Sequence, residues 1–266
     1  MPDEAAKLAP HVSDKAEVLT TFGPFNLTNS LLTMWITMAL LLVLAWLATR
    51  RIRANPAVAM IPTGLQGLAE LVLEGIENLV RPAMGKYTVR MLPVTATFLI
   101  FILIANWFSL LPGVGTIWVP VQEMHQGHLR TVAAPILRPA TADINMTLAM
   151  ALLAFLVIHG AGVAVHGPWG HIKEVSKLAP LAPVFILIEL FVVVSLSFRL
   201  FGNLFAGEVL LNGPLLFGFA LGHIPFIGVI FLTLEILFGL IQAVIFSMLS
   251  LVFTSLSVAT PAHAEH

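Results

Sequence analysis

"LLTMWITMALLLVLAWLATRRIRANP", residues 31–56, decides the class of fold. Residues 31–49 carry no charged side chain, and a helix needs about 20 apolar residues to cross a bilayer's hydrocarbon core. The run stops at Arg50, Arg51 and Arg53, and Pro56 follows as a helix breaker. Lys and Arg collect in cytoplasmic loops close to span ends. This end is therefore expected inside the cell and the N-terminus outside. The rest of the chain has the same character. Of 266 residues, 58% are apolar and 10% are charged, against about 25% charged in soluble domains. In hydrocarbon every backbone polar group needs an internal partner, which favours helices. The expectation is an all-α integral membrane protein.

Working outward, residues 1–30 read as an N-terminal outer segment without the apolar core of a signal peptide. Further spans are expected at about 91–111, 143–165, 181–211 and 224–256, making five, all in one membrane domain over 31–256. A tail, 257–266, follows inside. Residues 113–140 form an outer loop. Residues 63–81 differ from the spans. Leu65, Leu68, Ala69, Val72, Ile76 and Leu79 recur at helical spacing, with Glu70, Glu74, Glu77 and Arg81 on another face. This predicts an amphipathic helix, either lying on the inner membrane surface or packed as a juxtamembrane helix, opened by a capping box of Thr63 and Gln66. Basic residues fit this topology: Arg81, Lys86, Arg90, Lys173 and Lys177 fall inside, and only Lys7, Lys15, Arg130 and Arg138 fall outside. The stretch 181–211 would be roughly 46 Å of helix. That exceeds a hydrocarbon core of about 30 Å, so it is expected to tilt. With 224–256 it forms a long antiparallel hairpin that turns near "GHIP".

The chemistry lies in this hairpin. Glu189, Arg199, Glu208 and Glu235 are ionisable residues inside apolar stretches, and such residues are rare enough to suggest function. Arginine stays charged throughout the physiological range, yet no carboxylate lies within one helical turn of Arg199. Asn203 shares its face, whereas Glu208 points the opposite way. Glu235 and Gln242, seven residues apart, share a face of the last span. In an antiparallel hairpin, level positions have a constant sum of residue numbers. Arg199 then lies level with Gln242, and Glu208 with Glu235, nearer the outside. Two carboxylates at one depth in a low-dielectric layer resist ionising together and share a proton, which suits a proton relay.

"SLSFRLFGNLFAGE" (195–208) with "IQAVIF" (241–246) resembles subunit a of the F-type ATP synthase membrane sector. The likeness extends to "PATADINMTLAMAL" (139–152) and "NWFSLLP" (106–112). The resemblance implies a stator beside a rotating ring of c subunits. Two offset half-channels would carry protons to and from the ring carboxylates, with Arg199 as the essential arginine between them. Asn203, Glu208, Glu235 and Gln242 fall on the family's polar pathway positions. Asn106, Ser109, Thr141 and Asp143 fall near its outer half-channel. Many members carry His at the position of Glu235, and some carry Asp at that of Ser109. Glu189 is closer to the arginine than the family's upstream acid. The resemblance further implies peripheral-stalk b-type subunits and, indirectly, an ATP synthase headpiece as partners, and a bacterial inner membrane as location.

No cofactor is expected. The absence of cysteine excludes disulfides and Cys-ligated metals, and Glu123, His125 and His128 read as a solvated outer loop rather than a metal site. His159, His166 and His171 read as interfacial. No Walker motif or HExxH is present, so the chain is not expected to hydrolyse ATP by itself. A net charge of −1 says nothing about nucleic acid, and no nucleic-acid partner is expected; membrane lipid is the expected surrounding. An independent proton-coupled transporter is the alternative, but such folds often show internal repeats, and none is clear here. An intramembrane enzyme would need a nucleophile or metal set that is not evident.

Overall fold

The structure is a computed structural model that describes residues 16–23, 25–54, 62–115, 117–125, 128–176, 191, 194–195, 197–202 and 226–259. The chain is an all-α integral membrane protein with two small β-hairpins, one ahead of its first long helix and one between later helices. In chain order these are β1 (Val18–Phe22), β2 (Phe25–Thr28), α1 (Asn29–Ala54), α2 (Leu65–Met84) and α3 (Thr88–Phe108), then β3 (Trp118–His125), β4 (His128–Pro135), α4 (Ile144–Ser176) and α5 (Phe226–Val258). Among the described residues four helical segments are long and apolar enough to cross a membrane: Asn29–Arg53, Leu65–Phe108, Ile144–Gly170 and Leu232–Val258. Trp35, Leu42, Val43 and Trp46 on α1 are exposed, as expected of side chains that lipid covers. Most of the stretch 181–211, and the turn expected near "GHIP", lie outside the described residues.

The chain divides into two compact units, each assembled from three stretches. The first comprises 1–41, 101–147 and 198–242. It holds both hairpins, β1 with β2 and β3 with β4, each antiparallel. The expected outer loop is thus a β-hairpin over much of its length. Pairing continues past the strands through Ile136 N–H to Ile117 O (2.9 Å) and Gly115 N–H to Leu137 O (2.7 Å). Thr28 caps α1, its hydroxyl oxygen accepting from Leu31 N–H at 3.3 Å. Asp143 caps α4 in the same way, its Oδ1 accepting from Asn145 N–H at 3.0 Å.

Arg138, read from sequence as an outer-loop charge, is 1% exposed. Its guanidinium lies 4.0 Å from the Glu17 carboxylate. Asn29 Nδ2 donates to that same carboxylate at 2.6 Å and to Pro135 O at 3.0 Å. A buried charge is tolerated where it is paired and hydrogen-bonded. The N-terminal segment therefore supplies a counter-ion to the loop that leads into α4.

The second unit comprises 42–100, 148–197 and 243–266. Its core joins Ile76, Val80 and Met84 of α2, Ala96 and Leu99 of α3, and Leu251 and Val258 of α5, with Ala161 and Val165 of α4 against it. Phe98 and Phe246 stack in a tilted pair at 5.6 Å, and Ser257 donates to Ile158 O at 2.9 Å. The capping box expected at Thr63 and Gln66 does not form. Gly64 holds the N-cap position of α2 at φ 61 without a side-chain cap, a conformation glycine adopts readily. Gln66 donates instead to Glu70 at 2.8 Å, and Thr63 accepts from Arg51. The packed face also differs from the expected stripe. Gln66, Ile76, Val80 and Met84 are buried, whereas Leu65, Leu68, Val72 and Leu79 are exposed. Apolar residues cover more than one face of α2, so periodicity could not say which face packs and which meets lipid.

Helix α2 ends where Gly85 turns to φ 49. A 3-10 turn, Gly85–Tyr87, then leads into α3. At the far end of α4, Gly167 interrupts the helix at φ 74, ahead of Pro168 and an 82% exposed Trp169. An exposed tryptophan suits the membrane–water interface, where its ring has both apolar and polar surroundings. His159 lies within α4, edge-on to Phe155 at 4.1 Å.

Candidate functional site: a polar face on the last helix

The first unit gathers several of the sequence-predicted residues around the end of α3. Asn106 stands in the last turn of α3 and is 1% exposed. An amide placed there must find both a donor and an acceptor partner. Its Nδ2 donates to Gly239 O of α5 at 3.1 Å. Its Oδ1 accepts from the Thr141 hydroxyl, also at 3.1 Å. Thr141 belongs to the 3-10 turn Ala140–Ala142, just before the Asp143 cap. Ser109, in the turn after α3, donates to Asn106 O at 2.5 Å, so its hydroxyl closes the helix end.

Sequence reasoning missed two members of this site, Gly239 and Trp107. The Trp107 indole N–H donates to Ile236 O at 3.2 Å. Gly239 is buried, and a Cβ there would stand 3.1 Å from the Asn106 Cβ. A side chain at 239 would force α5 and Asn106 apart by a few tenths of an ångström. The available signal was the spacing: Gly239 lies four residues after Glu235 and three before Gln242, so all three share a face.

That face carries two polar groups of α5. Glu235 is half-buried, and Gln242 is 5% exposed. Gln242 Nε2 has no hydrogen-bond partner among the described residues. Further along the helix Ser247, Ser250 and Thr254 are also buried, turned away from the Glu235–Gln242 face. Their hydroxyls donate to the carbonyls of Ala243, Phe246 and Ser250 at 2.8, 2.9 and 2.7 Å.

Arg199 lies in a short helical stretch, 197–202. It is exposed on this chain, while Ser197 and Leu200 beside it are buried. Asn203, Glu208 and Glu189 lie outside the described residues, as does the pairing of Glu208 with Glu235. Asp143 is buried and serves as the cap of α4. Among the described residues no group of three or more His, Asp or Glu side chains is placed to hold a metal ion.

The arrangement pairs a buried amide network with a carboxylate-bearing helix face, and a cation stands exposed on another helix. Known proteins are similar to this sequence. The chain is similar to ATP synthase subunit a of Mycobacterium ulcerans (strain Agy99), 34% identical over 231 residues, or 86% of each chain. It is similar to subunit a of Citrifermentans bemidjiense, 34% identical over 225 residues and 82% of each chain. It is also similar to that of Mycobacterium leprae (strain TN), 32% identical over 250 residues and 92% of each chain. The family model described as ATP synthase A chain matches residues 31–255, nearly the whole span from the first long helix to the last, and the chain belongs to that family.

Proposed function

We propose that this chain is the proton-conducting stator of a rotary ATP synthase, with two offset half-channels meeting at Arg199. Family membership carries the broader statement, a role in the ATP synthase membrane sector. The finer reading rests on one observation above all: Arg199 is exposed, on the same stretch as exposed Phe198, while Ser197 and Leu200 are buried. A cation within an apolar span needs a counter-charge, and an exposed one is available to a neighbouring chain. A ring of c subunits, each bearing a carboxylate, supplies that charge.

The chemistry follows from what arginine does not do. Its guanidinium stays protonated. It meets a ring carboxylate that has lost its proton, and it offers no proton of its own to the opposite side. Direct passage between half-channels is thereby blocked. Each elementary charge crossing gains about 2.3 kcal/mol per 100 mV, and a leak past Arg199 would release that energy as heat rather than torque. Glu235, Gln242, Asn106 and Thr141 form the outer pathway in this reading, joined by Ser109, Asn203 and Glu208. The buried amide of Gln242 and the Asn106–Thr141 pair support it, because both are polar groups held on or against the Glu235 face. The c-ring, b-type stalk subunits, a bacterial inner membrane, and an outer N-terminus with an inner C-terminus complete the assignment.

The test is Arg199→Ala in the assembled complex. Proton-driven ATP synthesis should be abolished while hydrolysis by the headpiece persists. Wild-type synthesis in those membranes would refute the role of Arg199.

A further inference from the structure

We infer that Trp107 and Gly239 are positioning residues of the outer proton pathway, which together set the depth and rotation of the Glu235–Gln242 face. The inference rests on the reading that Glu235 carries protons. Two adjacent residues of α3, Asn106 and Trp107, donate to two carbonyls of α5, those of Gly239 and Ile236. These carbonyls are three residues apart, about 4.5 Å along the helix. A single bond would leave α5 free to rotate about it. Two bonds at different heights fix translation and rotation together.

Their placement makes the fixation functional. Both carbonyls fall between Glu235 and Gln242 in the chain. A displacement of α5 against α3 therefore moves the carboxylate and the amide together. In hydrocarbon the indole N–H needs a partner, and a helix carbonyl can accept a second bond. Trp107 thus marks one allowed register. Gly239 permits that register, because an added Cβ would press on Asn106 at 3.1 Å and on Trp107 Cδ1 at 3.6 Å.

Two variants test this in inverted membrane vesicles carrying the whole complex, with complex content measured by immunoblot. Trp107→Phe keeps the aromatic ring and loses the N–H. It should assemble normally and shift the pH of half-maximal ATP-driven proton pumping by about half a unit or more, because the surroundings of the titrating carboxylate change. In a Glu235→Gln background the same substitution should add no further shift. Gly239→Ala should lower pumping roughly tenfold or more, since a displacement of about 1 Å in a positioned site can cost about 100-fold. If Gly239→Ala fails to assemble, Trp107→Phe decides alone. A wild-type profile in Trp107→Phe, an equal loss at every pH, or the same shift without Glu235 overturns the positioning role. Wild-type pumping by Glu235→Gln alone would instead overturn the pathway reading beneath it, so the two failures are distinguishable.

Discussion

The Asn106–Thr141 pair offers a double-mutant cycle whose outcome follows from the geometry. Asn106 and Thr141 are each 1% exposed, and one hydrogen bond of 3.1 Å joins them. Asn106→Ala removes that bond and the one to Gly239 O. The Gly239 carbonyl keeps its helical partner, so its loss is small, near the 0.6 kcal/mol average for bonds inside membranes. Thr141 fares worse. Its buried hydroxyl loses this acceptor, at a cost of about 1–3 kcal/mol. The single variant should therefore cost about 2–4 kcal/mol. Thr141→Val keeps the side-chain shape but deprives Asn106 Oδ1 of this donor, at about 1–2 kcal/mol. In the double variant neither group is left waiting for the other. Its cost should fall short of the sum by about 0.6–1.7 kcal/mol. Reversible unfolding of the full-length chain in mixed micelles, followed by far-ultraviolet circular dichroism, measures all three. Additivity within about 0.3 kcal/mol would refute the claim that this bond couples the two residues.

Two further predictions concern the pathway and its orientation. Glu208→Gln and Glu235→Gln should each slow ATP-driven proton pumping, and, on the proposal that the two carboxylates share a proton, the double variant should lose less than the product of the single losses; a plain product would remove the shared proton. The chain has no cysteine, so single cysteines introduced at Ala54 and Ser176 should label from the cytoplasmic side and one at Gly127 from outside, and labelling of position 54 from outside only would reverse the orientation.

Much of this architecture was legible because lipid imposes simple demands. The uncharged run at 31–49 was sufficient to indicate a span. What escaped were relations between distant residues. Nothing near Arg138 indicates that Glu17 neutralises it, since the pair forms only when the N-terminal segment meets the loop before α4. Thr63 and Gln66 have capping-box spacing, but the backbone turns at Gly64 and Gln66 bonds to Glu70 instead. Asn106 and Thr141 were recognisable as polar positions through the family resemblance. Their mutual bond, and the close approach at Gly239, became visible only with α3 and α5 in place.

The serine and threonine hydroxyls of α5 bear on how the chain is made. Ser247, Ser250 and Thr254 satisfy themselves on carbonyls of their own helix. This part of the last span can leave the translocon and stand alone in lipid with those groups already bonded. Asn106 and Trp107 cannot do the same for their side-chain donors, whose acceptors lie on α5. During synthesis α3 emerges long before α5, so it must wait with polar groups exposed to lipid, held by another chain or drawn toward the headgroups. The last helix to be made thus completes the bonding of the earlier one, and a truncated product lacking it would retain an unsatisfied amide that membrane quality control could recognise.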